Sequence, residues 1–145
     1  MKHRLPSLLS VLLIAPLLLA ACNGEAGPLD PSPAVGAYTL HRINGVAPPV
    51  IIGQDTRGQI QVLGGSLTLR RDGSYTETGD ARILPPSGSP APPVTSTVTG
   101  SFELIMQRGA QRVKLLTREG NLLYGTLAGD TITYAASGFT LSYVR

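Results

Sequence analysis

Turn signals recur at nearly even spacing along the second half of this chain, and together they dictate a strand register that can be tested for self-consistency. Ser137-Gly138, Gly129-Asp130 and Arg108-Gly109 read as two-residue hairpin loops, and Arg118-Glu119-Gly120 as a three-residue loop with glycine in the left-handed position. The first sets Ala136 opposite Phe139, Tyr134 opposite Leu141 and Ile132 opposite Tyr143, with Thr133 and Ser142 together on the other face. The second extends the same apolar face by pairing Leu127 with Ile132, Gly125 with Tyr134 and Leu123 with Ala136, and Gly125 leaves room for the Tyr134 ring. The Arg118 loop aligns Leu115 with Leu123 and Val113 with Gly125, while the Arg108 turn aligns Leu104 with Val113 and Phe102 with Leu115. A one-residue slip would turn every side chain to the opposite face, so agreement through consecutive hairpins is a strong constraint.

The first half behaves alike. Gly64-Gly65 reads as a hairpin turn pairing Val62 with Leu67 and Ile60 with Leu69, and Arg71-Asp72-Gly73 pairs Leu69 with Tyr75. Strands are expected at 37–43, 58–63, 66–70, 74–83, 95–107, 110–117, 121–128, 131–136 and 139–144. The fold class is all-β, an antiparallel up-and-down meander of eight to ten strands. So long a meander has two open edges, and closing it into a barrel removes both. An open sheet or two-sheet sandwich with the same hairpins is the alternative.

The N-terminus has a separate purpose. Lys2, His3 and Arg4 precede an apolar run from Leu5 to Ala21 that contains Pro6 and Pro16, the layout of a secretory signal rather than a spanning helix. Leu19-Ala20-Ala21-Cys22 resembles the bacterial lipobox, which implies a mature chain beginning at a lipidated Cys22, the only cysteine present. Ordinary signal cleavage leaving a free thiol is the competing reading, and neither allows a disulfide framework. Asn23 stands where an Asp would resemble an inner-membrane retention signal, so the expected location is the bacterial envelope, in the outer membrane and facing the periplasm. Residues 1–21 are thus read as signal, 22–34 as lipidated cysteine and Gly/Pro linker, and 35–145 as the barrel domain. Taken as flexible, the linker spans roughly 20 Å.

Charge adds little. Without Lys2 and Arg4 the mature chain carries ten basic residues against nine acidic ones. The arginines are scattered without interleaved aromatics, which leaves no nucleic-acid footprint.

Gly36-Ala37-Tyr38-Thr39-Leu40-His41-Arg42-Ile43-Asn44-Gly45, with Gly65-Ser66-Leu67-Thr68-Leu69, Asp72-Gly73-Ser74-Tyr75 and the closing Tyr143-Val144-Arg145, resembles small bacterial lipoproteins with a lipocalin-like, calycin-type domain. Lipocalins proper begin with Gly-x-Trp and pack a late arginine over that tryptophan. Here Gly36-x-Tyr38 departs from the pattern, and Arg145 is the candidate to close the barrel over a tyrosine instead. The resemblance implies a binding module for a small apolar or amphipathic molecule.

Among candidate site residues, the inward set of Tyr38, Leu40, Phe102, Tyr134, Phe139 and Tyr143 would line a pocket or simply fill a core. Glu77 turns inward opposite Leu67 if the Arg71 loop has three residues, as a polar handle for a ligand, and outward if the turn is the two-residue Asp72-Gly73 type. No catalytic residue, metal site or cofactor is expected: His41 is the mature chain's sole histidine and faces solvent, and no nucleophile elbow or phosphate loop occurs. Leu116, Leu122 and Tyr124 form a small outer patch beside Glu103 and Lys114. Leu84 to Pro93, with five prolines in ten residues, is a loop that serves as lid or connector. A filled barrel that contacts another envelope protein is therefore the alternative function.

Overall fold

Alternation of apolar and polar residues, interrupted by turn chemistry, produces strands throughout the computed structural model, which describes residues 28–145. The signal segment, the lipobox with Cys22 and the first linker residues lie outside the described residues. Nine strands are present among the described residues: β1 (Gly36–Ile43), β2 (Val50–Asp55), β3 (Gly58–Leu69), β4 (Ser74–Leu84), β5 (Val94–Gln107), β6 (Ala110–Thr117), β7 (Leu122–Ala128), β8 (Thr131–Ala136) and β9 (Phe139–Val144). From β3 to β9 each pairs antiparallel with the next, and β1 joins β9 on one side and β3 on the other. That double pairing closes an eight-stranded barrel with β2 as an extra strand.

The register follows the turns. Ala136 faces Phe139, Tyr134 faces Leu141 and Ile132 faces Tyr143, while Gly125 meets Tyr134 and Leu127 meets Ile132. Leu115 and Val113 pair with Leu123 and Gly125, and with Phe102 and Leu104 on the other side. The shared face is the core, where Leu67, Val113, Leu115 and Ile132 are wholly buried.

One part of the sequence reading is corrected. Gly64-Gly65 makes no hairpin: residues 58–69 form one long strand bent by an irregularity between Val62 and Gly64, and Val62 pairs with Ala81 rather than Leu67. Glycine at 65 answers a close approach, because a Cβ there would lie 2.5 Å from the Thr78 carbonyl oxygen. The bend divides β3, so that 66–69 pair with β1 and close the barrel while 58–62 carry β2. β2 itself is not foreseen from the sequence. Its Asp55 accepts hydrogen bonds from the backbone and guanidinium of Arg57, forming the turn that returns the chain into β3.

The stretch read as linker is also shorter than expected. Ala34 is fully buried, Leu29 packs on the core, and the Leu29 N–H donates to the Leu104 carbonyl at 2.7 Å. From Leu29 onward the chain is seated on the end of the barrel that carries the β5–β6 and β7–β8 turns. The opposite end holds the β6–β7 and β8–β9 turns and the continuation of β3, β4 and β5 beyond the barrel body.

Candidate functional site

The two ends differ in how side chains fill them. At the seated end, the Tyr38 hydroxyl donates to the Ala34 carbonyl at 2.8 Å, and the Arg145 guanidinium carbon lies 5.4 Å from the Tyr38 ring centroid. Arg145 also pairs with Asp130 at 2.7 Å and donates to the Val35 carbonyl at 2.9 Å. Gly36 permits this, since a Cβ there would meet Arg145 Cδ at 2.8 Å. Tyr38, Leu40 and Phe102 are buried in the filled core, and Phe139 is half-buried against it. None of these four lines the cavity described next.

At the other end a cavity of about 580 Å³ opens between the β4–β5 wall and the two hairpin loops. Tyr75, Glu77, Val98, Thr117, Leu123 and Ala136 are among its lining residues. Its volume falls within the range of small-molecule sites. Glu77 pairs with Leu67 across β3 and β4, which fixes it inward. Its Oε1 accepts a 2.6 Å hydrogen bond from the Tyr143 hydroxyl, a link across 66 residues of sequence. Tyr134 stacks on Tyr143, with centroids 5.8 Å apart and planes 6° from parallel. Of the expected inward site residues, Glu77 alone is among those lining the cavity; Tyr134 and Tyr143 meet behind it, buried in the core.

Burial, reinforced by the Glu77 charge, pushes the Tyr143 hydroxyl well above the ordinary phenol range. Burial pushes Tyr134 up further, with Tyr143 and Glu77 acting in the same direction. Both therefore stay protonated. The hydroxyls of Tyr75 and Tyr134 are buried with no hydrogen-bond partner among the described residues. Such groups are rare in a settled core, where nearly all buried polar atoms are paired.

Tyr75 is a site residue that the inward set omits, although its pairing with Leu69 signals its direction. Its ring is accommodated by Gly100, where a Cβ would lie 2.8 Å from Tyr75 Cε1. Leu116, Leu122 and Tyr124 are exposed beside the Lys114–Glu103 ion pair, and Leu122 turns out to rim the mouth as well. The proline-rich loop lines none of that cavity. Ala91 donates to the Ile83 carbonyl, and Ala91 and Pro92 border a separate depression with Ile60 and Arg57 near the β2–β3 turn. His41 is exposed on β1. Comparison with protein-family models, curated proteins and solved structures returned no match.

Proposed function

We propose that this protein is a lipid-anchored lipoprotein of the bacterial envelope, and that its lipocalin-like barrel binds a small amphipathic molecule in the mouth between β4, β5 and the β6–β7 and β8–β9 loops. The observation that carries this reading is the cavity of about 580 Å³ whose walls hold the Glu77 carboxylate and the buried Tyr75 phenol, with Tyr143 bonded to Glu77 from behind. Apolar walls with a few converging polar groups are the ordinary composition of a small-molecule site. The function is binding rather than catalysis.

The anchor shapes how the site is used. With Cys22 as the lipidated residue, the chain reaches its first seated residue, Leu29, seven positions after the anchor. The tether leaves from the end of the barrel opposite the mouth, so the mouth faces away from the anchoring membrane, toward the periplasm for an outer-membrane location.

Native mass spectrometry of the full chain, extracted from its own envelope in mild detergent, tests both parts. The expected species carries acyl mass at Cys22 and a noncovalent small-molecule mass. A bare Cys22 removes the anchor. Absence of any noncovalent mass, together with no uptake of the neutral probe N-phenyl-1-naphthylamine, overturns the binding function.

A further inference from the structure

Glu77 gives the mouth a charge that general binding of apolar molecules does not need. Its Oε1 is engaged by the Tyr143 hydroxyl, and the Tyr134 hydroxyl lies beside the same carboxylate without a hydrogen bond of good geometry. The ion pairs of the described residues, Arg57–Asp55, Lys114–Glu103 and Arg145–Asp130, lie at the surface, and none brings a cation to Glu77. A carboxylate drawn partly out of water is ordinarily compensated by a cation or by several donors. Here the other cavity walls are hydroxyls, apolar groups and one neutral amide, that of Asn121, and none of them carries a positive charge.

The surrounding aromatics point the same way. Tyr75, which lines the cavity, is only 1% exposed, yet its hydroxyl lacks a partner among the described residues; Tyr134 lies behind the cavity. Phenol faces attract cations, and phenol oxygens accept N–H donors. Farther out, Val98 and Leu122 are exposed at the lip and supply apolar surface continuous with the mouth.

We infer that the mouth selects cationic amphiphiles: an alkylammonium head seated on Glu77 beside Tyr75, with its tail along Leu123, Val98 and Leu122. This rests on the reading of the mouth as a ligand site and assigns that site its ligand class. A fatty acid presents the wrong sign of charge to Glu77, and a neutral alcohol leaves the carboxylate without a counter-charge, so selectivity arises from repulsion as well as attraction.

The test uses the full chain and displacement of bound N-phenyl-1-naphthylamine by octylamine, octanol and octanoate at neutral pH. Octylamine is expected to displace the probe at about one tenth of the octanol concentration, with octanoate weakest. In Glu77→Gln, whose amide oxygen can still accept the Tyr143 hydroxyl, the amine loses its advantage over octanol. Equal displacement by octylamine and octanol overturns the inference while leaving the binding site intact. So does an amine preference that survives Glu77→Gln. Failure of all three to displace the probe removes the inference; failure of the probe itself to bind removes the binding function. The comparison on the unmodified chain stands even if the variant does not fold.

Discussion

The two ends of the barrel carry the same kinds of side chain in opposite states of satisfaction. At the seated end, the Tyr38 hydroxyl has the Ala34 carbonyl, Arg145 has Asp130 and the Val35 carbonyl, and the N-terminal segment covers the base. At the mouth, the buried Tyr75 hydroxyl lacks a partner among the described residues, as does that of Tyr134 in the core behind it, and Glu77 accepts from Tyr143. The difference separates stability from function: hydrogen-bonding capacity left unused inside a protein costs free energy unless something else meets it.

The largest break in that comparison comes from alkaline pH. Burial raises Tyr134 and Tyr143 above their unfolded value near 10, with Glu77 pushing both the same way. At the seated end burial raises Tyr38 too, but the Arg145 charge opposes it. A phenol whose folded value is raised keeps its proton where the unfolded chain has given it up. Its contribution is therefore intact below about pH 10 and is lost as pH rises beyond it. Each tyrosine removes up to about 1.4 kcal/mol per pH unit, so the pair lowers stability by up to about 3 kcal/mol between pH 10 and 11. Urea unfolding at pH 8, 10 and 11 measures this, and Tyr134→Phe should reduce the dependence by its own share, since Tyr38 and Tyr75 are raised by burial too. A stability that stays flat to pH 11 contradicts it.

A smaller effect comes from adding a methyl group beside Tyr75. In Gly100→Ala the new Cβ would stand 2.0 Å from the Leu116 carbonyl oxygen and 2.8 Å from Tyr75 Cε1. The carbonyl belongs to the neighbouring strand and cannot retreat without breaking the ladder, so a loss of about 1–3 kcal/mol is expected in the unfolding midpoint. Gly79→Ala, across the same mouth, meets Ser96 Oγ at an ordinary 3.5 Å and should cost less than about 1 kcal/mol. If the two variants unfold alike, Gly100 is not the residue that seats the Tyr75 ring.

How much of this was legible depended on whether local chemistry had one meaning. The loops after Gln107, Thr117, Ala128 and Ala136 are tight, and each pairs the residues its length demands. Gly64-Gly65 carried the same turn signature for a different reason, a bend with close backbone approach, which only the long-range partner Thr78 reveals. The direction of Glu77 depended on one loop length, and its bond to Tyr143 joins residues too far apart for local pattern to connect. Tyr38, Leu40 and Phe102 shared the inward phase of the site residues, yet they fill the core. Periodicity identifies a face, whereas the height of a residue along the barrel depends on the stagger of all the strands.

The finest comparison deletes one hydroxyl from each end. Tyr38→Phe removes a donor from a buried carbonyl bond and leaves the Ala34 oxygen unpaired, an expected loss of about 1 kcal/mol. Tyr134→Phe removes a hydroxyl with no protein partner among the described residues and leaves the ring free to stack on Tyr143. That substitution should be neutral, or stabilising by up to about 1 kcal/mol, in the ligand-free protein. The same variant should change what the mouth binds only through Glu77, which the hydroxyl lies beside, because Tyr134 does not itself line the cavity. Paired denaturation curves and probe displacement on both variants read the two effects separately. Should Tyr134→Phe destabilise the protein as much as Tyr38→Phe, the hydroxyl is satisfied by water, and the contrast between the ends reduces to one of solvation.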